Sequence, residues 1–161
     1  MNCGVSGSSA PCRRPRRSRK TVLNAEPPIV YADSSALVKL VIEEPESSDL
    51  ATYLATRETV LATSGVALVE VPRATSVADP APEVRAETER LLSSCLLVRV
   101  GNAVLRSAAD LASREVRTLD AIHLASAQLV DADEMLVYDK RLRRAAREVG
   151  IAVSHPGTAE A

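Results

Sequence analysis

From residue 29 onward, short apolar runs alternate with amphipathic stretches of helical length, and this alternation restricts the chain to an α/β architecture. Residues 29–32, 60–62, 96–100, 135–138 and 151–153 read as strands. Ser34 or Ser35 is expected to cap a helix reaching to about residue 42, where Glu43-Glu44-Pro45 breaks the pattern. Further helices are expected over 47–57, from Ser64-Gly65 through Glu70, over 80–93 and over 102–113. Thr118 is the expected cap of a helix from 119 to about 130, and Gly150 the stop of a helix over 140–148. Pro72 falls inside one of these patterns and predicts either a kink or the true start of that helix. Strands alternating with helices imply a mostly parallel central sheet with right-handed crossovers, whose ligands bind at the carboxyl ends of the strands.

At 161 residues the chain is long enough for one domain with a core of its own. It has no Phe, no Trp and only three Tyr, so that core is built from Leu, Val, Ile and Ala. The same scarcity excludes the aromatic stacking platforms used to bind single-stranded nucleic acid. No apolar run approaches membrane-spanning length. Cys3, Cys12 and Cys95 form no CxxC pair, and their odd number argues for a reduced, cytoplasmic setting. Cys95, beside Leu96 and Leu97, is expected to be a buried small hydrophobe. His123 and His155 lack the partners of a zinc site, and His123 is expected to be packed or hydrogen-bonded.

Residues 1–28 carry about +5 and the remainder about −6. The first segment, rich in Ser, Pro, Gly and Arg, reads as a disordered tail, as an arginine-rich arm for nucleic acid, or as a mis-assigned start. It has no signal-peptide core. Residues 29–155 read as the folded domain and 156–161 as a short tail.

Four acids each lie against an apolar run: Asp33, Glu70, Asp120 and Asp139. Singly, each has a structural explanation, as a helix cap, a solvated helix position, a first-turn residue balancing the helix dipole, or a turn residue. Together they converge on the carboxyl edge of the expected sheet, where they repel one another until a cation arrives. Oxygen-only ligands suit a hard ion, Mg²⁺ or Mn²⁺, and point to metal-assisted phosphodiester chemistry.

The segment Val30-Tyr31-Ala32-Asp33-Ser34-Ser35-Ala36-Leu37-Val38-Lys39-Leu40 resembles the opening of the PIN-domain ribonucleases, specifically the VapC-type toxins of bacterial toxin–antitoxin pairs. Ala67-Leu68-Val69-Glu70-Val71-Pro72-Arg73-Ala74 is similar to that family's second acidic segment. Leu119-Asp120-Ala121-Ile122-His123-Leu124-Ala125-Ser126-Ala127 is similar to the third, and Val137-Tyr138-Asp139-Lys140-Arg141-Leu142 to the fourth. Four segments in order form a specific signal where one alone would be weak. The resemblance implies a PIN-like α/β/α sandwich with an Mg²⁺-dependent endoribonuclease site, Mn²⁺ being a possible substitute. Asp33, Glu70, Asp120 and Asp139 would form its acidic cluster, with a hydroxyl from Ser34 or Ser35. It also implies a cognate VapB-type antitoxin and a homodimer.

Water attacking in line at a metal-activated phosphodiester leaves a 5′-phosphate and a 3′-hydroxyl. Because the body is acidic, RNA must be held by a local basic rim. Arg114, Arg117, Lys140, Arg141, Arg143, Arg144 and Arg147 are the candidates, with Arg117 and Arg141 nearest the acids in sequence. The plain alternative for each is a solvated helical face. A phosphorylation-receiver domain also gathers acids at a sheet edge, but paired acids after the first strand and a mid-chain strand ending in Asp are both missing. A PIN-like binding module that recognises RNA or a partner without cutting is the stronger rival.

Overall fold

The computed structural model describes residues 26–111 and 116–158. The expectations placed on the basic tail up to residue 25, on Cys3, Cys12 and Arg114, and on residues 159–161 lie outside the described residues. The elements follow the order β1 (Ile29–Ala32), α1 (Ser34–Lys39), α2 (Ser47–Ala55), β2 (Val60–Ser64), α3 (Ala67–Ala78), α4 (Pro82–Ser94) and β3 (Leu96–Val98). After these come α5 (Asn102–Ala109), α6 (Thr118–Leu129), β4 (Glu134–Leu136), α7 (Lys140–Glu148) and β5 (Ala152–Ser154). The five strands form one sheet in the order β3-β2-β1-β4-β5, and every pairing is parallel.

Strand β1 sits at the centre, and its alternating side chains divide the core into two layers. Val30 and Ala32 pack with Leu136 against Ala36 and Leu37 of α1, Leu50 of α2, Val71 of α3 and Leu92 of α4. Tyr31 points the other way and joins Met135 and Val137 against Val104 of α5, Leu124 and Ala125 of α6, and Leu142 and Ala145 of α7. The helices thus cover both faces, which explains why the strands read as continuous apolar runs instead of alternating ones. Among the described residues no helix is long and apolar enough to cross a membrane.

Several boundaries differ from expectation for identifiable reasons. Strand β2 runs on to Ser64 because Thr63 and Ser64 pair with Leu97 and Val98 of β3, and Thr63 Oγ1 donates to the Ala32 carbonyl at 2.8 Å. Helix α1 stops at Lys39, whose ammonium is drawn to Glu44 and, at 2.8 Å, to Glu46. Helix α3 begins at Ala67, so Pro72 lies within it and does not mark its start. Cys95 is half-buried, with Sγ 3.3 Å from the Leu91 carbonyl. Gly150, at φ +84°, supplies the left-handed residue that ends α7.

Leu37 is fully buried on the β1 face of α1. Leu37→Ala is expected to cost about 2–5 kcal/mol, read from the midpoint and slope of a urea unfolding curve.

Candidate active site

Strand order reverses at the centre of the sheet: from β1 the chain proceeds outward to β2 and β3, then returns to place β4 on the other side of β1. The crevice beyond the carboxyl ends of β1 and β4 is the natural ligand position of such a sheet. Asp33 follows β1 directly, and Asp139 lies three residues beyond the end of β4. The ladder carries on into this crevice, where the Asp33 N–H donates to the Leu136 carbonyl at 3.2 Å.

Each aspartate is held at the start of a helix. Asp33, not Ser34 or Ser35, caps α1: its Oδ1 accepts from the Ala36 N–H at 2.8 Å. Ser35 Oγ donates to both of its oxygens, at 2.8 and 3.0 Å. A carboxylate draws the first-turn N–H groups more strongly than a neutral hydroxyl, which moves the cap one residue ahead of the expected serines. At α6 the capping position is Arg117 and not Thr118, because Asp120, three residues on, accepts from the Arg117 N–H at 3.4 Å. Asp139 caps α7 through Oδ1, accepting from the N–H groups of Arg141 at 2.8 Å and Leu142 at 2.9 Å.

The electrostatics bind three of these groups together. Asp33 is only 5% exposed, and burial pushes its carboxyl up to about 6 despite the Ala36 and Ser35 hydrogen bonds. The charge of Asp120 pushes it further in the same direction. Burial also raises the Asp120 carboxyl, and the neighbouring charge of Asp139 adds to that rise. Glu70 behaves in the opposite way. His123 Nε2 donates to its Oε2 at 2.9 Å and Ser34 Oγ donates to the same oxygen at 2.6 Å, which together hold its carboxyl below the usual range.

His123 is buried, with Nδ1 2.8 Å from the Tyr31 hydroxyl and Nε2 3.2 Å from Ser34 Oγ. It is a hydrogen-bonded histidine, as its sequence context implied. The connection to Tyr31 spans 92 positions and was not anticipated. Its one trace in the sequence is that Tyr31 and His123 are the polar-tipped members of otherwise apolar runs. Arg117 and Arg141 are exposed beside the acids, although the contacts they make to Asp120 and Asp139 use their backbone N–H groups.

All-carboxylate donors of this kind fit a hard divalent cation in chemistry. In spacing they are looser: among the described residues no three acidic, His or Cys side chains stand close enough together to enclose an ion. A cavity of about 830 Å³ lies elsewhere, between α3 and α4, and none of the four acids lines it.

The PIN domain profile matches residues 30–148. The chain belongs to the PIN-domain family. Within it, the chain stands among the VapC-type ribonucleases: it is 45% identical over 129 residues to ribonuclease VapC46 of Mycobacterium tuberculosis strain ATCC 25618 / H37Rv, an alignment covering 79% of this chain and 97% of that protein. It is 34% identical over 135 residues to ribonuclease VapC47 of M. tuberculosis strain CDC 1551 / Oshkosh, covering 80% of this chain and 98% of that one. Among solved structures, M. tuberculosis VapC20, described as a sarcin–ricin loop cleaving toxin, superposes with a TM-score of 0.64 at 16% identity, over 79% of this chain and 99% of that one. VapBC2 from Rickettsia felis, bound to a promoter DNA fragment, gives 0.61 at 12% identity, over 80% and 98%. These superpositions bear out the PIN-like α/β/α sandwich. Asp33, Glu70, Asp120 and Asp139 all fall inside the span that the PIN domain profile matches.

The displaced Asp33 carboxyl generates a pH dependence whose sign follows from linkage. Its folded-state value, about 6, lies above its ordinary value of 3.8, so between those pH values the folded protein binds more protons than the unfolded chain. The contribution of Asp33 is therefore fully present below pH 4 and is lost as pH rises through about 6, by roughly 3 kcal/mol. Asp33→Asn, which keeps a capping oxygen, is expected to raise metal-free stability at pH 7 and leave it unchanged at pH 3.5. Urea unfolding of both proteins across that range measures the difference directly.

Proposed function

We propose that this PIN domain is the toxin of a type II toxin–antitoxin pair, a cytoplasmic Mg²⁺-dependent endoribonuclease that hydrolyses RNA phosphodiester bonds. The observation that carries the reading is the buried Asp33 at the switch point of the sheet, charge-coupled to Asp120, which is in turn coupled to Asp139. Asp33 lies out of reach of water, Asp120 is half-buried and Asp139 exposed, and a divalent cation would relieve the repulsion that Asp33 cannot shed to solvent. The 45% identity to a ribonuclease, over nearly that protein's whole length, supports the same activity here.

In this reading Asp33 and Asp139 are the principal metal ligands, directly or through water, and Asp120 and Glu70 complete the shell or orient the attacking water. The ion supplies a water of lowered pKa and positive charge at the phosphorus, with Mn²⁺ able to substitute for Mg²⁺. Asp33 must give up its proton for this role, so protons compete with the cation at its carboxyl group. Ser34 stands beside Glu70 and can meet the substrate through its hydroxyl. Arg117 and Arg141, exposed at the starts of α6 and α7, would contact RNA phosphates in this reading. A VapB-type antitoxin is the expected partner, since a solved structure of this fold is a toxin–antitoxin complex from Klebsiella pneumoniae. Exposed Leu68, Val69 and Val77 on α3 give such a partner, or a second copy in a homodimer, apolar surface to cover.

One observation favours the alternative of a catalytically silent module that binds RNA or a partner: the acids are not drawn tightly together among the described residues. Activity separates the two readings. Partner-free protein is expected to cut RNA with Mg²⁺ or Mn²⁺, to stop with EDTA, and to leave 5′-phosphate and 3′-hydroxyl ends. Asp33→Asn and Asp139→Asn should each lower the rate roughly 100-fold or more. A 2′,3′-cyclic phosphate end, or cutting that survives EDTA, would sink the mechanism. Arg141→Ala is expected to weaken RNA binding and reduce the log–log salt slope by about 0.7 to 1, measured by fluorescence anisotropy with Asp33→Asn as the non-cutting background.

A further inference from the structure

Beneath the acidic site runs a hydrogen-bonded chain whose buried end, Tyr31 and His123, the proposed chemistry does not itself use. Tyr31, fully buried in the central strand, meets His123 Nδ1 at 2.8 Å, and His123 Nε2 meets Glu70 Oε2 at 2.9 Å. Ser34 Oγ closes the arrangement on the same oxygen at 2.6 Å. The directions of the protons follow from the partners. A carboxylate oxygen only accepts, so both Ser34 Oγ and His123 Nε2 donate to it. With Nε2 donating to Glu70, Nδ1 can accept from the Tyr31 hydroxyl 2.8 Å away. Burial drives the Tyr31 phenol well above its ordinary range, so this hydroxyl keeps the proton it donates.

The chain fixes Glu70 from one side. Both of its protein hydrogen bonds use Oε2, and Oε1 accepts none from the described residues. Glu70 itself is partly exposed at 28%, whereas the histidine behind it is 3% exposed. The long side chain is thus anchored at one oxygen by a buried histidine and a half-buried serine and left open at the other. Tyr31 in turn is fixed by the sheet, and its ring meets the imidazole edge-on with centroids 5.9 Å apart.

The geometry points to His123, seated on Tyr31, as a positioning residue that holds Glu70 with Oε1 free for the metal site. This rests on the proposed metal-dependent reading of the four acids. Outer-shell groups of this kind act by orienting a ligand, and their removal typically weakens metal binding 10- to 100-fold.

The test is a titration of Mn²⁺ into the full chain, freed of any partner, with free Mn²⁺ read by electron paramagnetic resonance and the melting temperature recorded for every variant. His123→Ala is expected to weaken Mn²⁺ binding about tenfold. His123→Gln, whose amide can still donate towards Glu70, should recover most of that loss. In a Glu70→Gln background, His123→Ala should have no further effect on binding, because the group it positions is already gone. A purely structural histidine gives the opposite pattern, with an equal loss in both backgrounds that follows the melting temperature. That result overturns the inference, as does unchanged binding in His123→Ala. If His123→Ala does not fold, Tyr31→Phe in the two Glu70 backgrounds measures the same coupling. Wild-type protein that binds no Mn²⁺ overturns the metal-site reading, and this inference with it. Wild-type binding that Asp33→Asn abolishes, with no coupling between His123 and Glu70, overturns this inference alone.

Discussion

A carboxylate at the end of a central strand has little access to water, and the rest of the site is arranged around keeping one there. Asp33 is enclosed by the first turn of α1, by Ser35 and by the neighbouring strand β4. Its position is dictated by β1, which pairs with β2 on one side and β4 on the other and is covered by helices on both faces. Because all five strands are parallel, their carboxyl ends share one edge, and the helices that follow them start there. The partial positive charge of those helix starts is what the fold offers in place of solvent.

The four acids do not share one environment. Asp33 and Asp120 bear the cost of burial and of a neighbouring like charge, Asp120 on the first and Asp139 on the second, and both carboxyls are displaced upward. Glu70, fed by two donors, is displaced downward. Neighbouring carboxyls driven in opposite directions are a usual mark of groups with different tasks. Here the division follows the architecture. Asp33 and Asp139 cap their helices and Asp120 bonds back to the backbone at the start of its own, while Glu70, in the first turn of α3, depends on a histidine from α6.

Much of this was legible in the sequence. The bounds of β1 and α7 are as expected, since a clean apolar run ending at Asp33 and a basic stretch ending near Gly150 leave little ambiguity. The caps were displaced by one residue because Ser34 and Thr118 are good capping residues by type. Competition with a nearby carboxylate, which settles the matter, depends on which oxygen reaches which N–H. Strand β2 outran its apolar run because pairing with β3 keeps polar Thr63 and Ser64 buried in the sheet. The bond between Tyr31 and His123 was out of reach for a different reason. Contacts across 92 positions are set by how β1 and α6 pack, and neither local propensity nor spacing encodes that packing.

The double service of Asp33 and Asp139, as starts of helices and as charged groups in the crevice, has a consequence for descent within this fold. Exchanging one carboxylate oxygen for an amide nitrogen leaves an oxygen to cap the helix and removes the charge. Under the proposed reading, a lineage would then lose its chemistry in a single step while keeping its architecture, and a partner that recognises the surface would still find it. Inactive relatives that survive as decoys or regulators would be an accessible outcome of a site whose ligands also cap its helices.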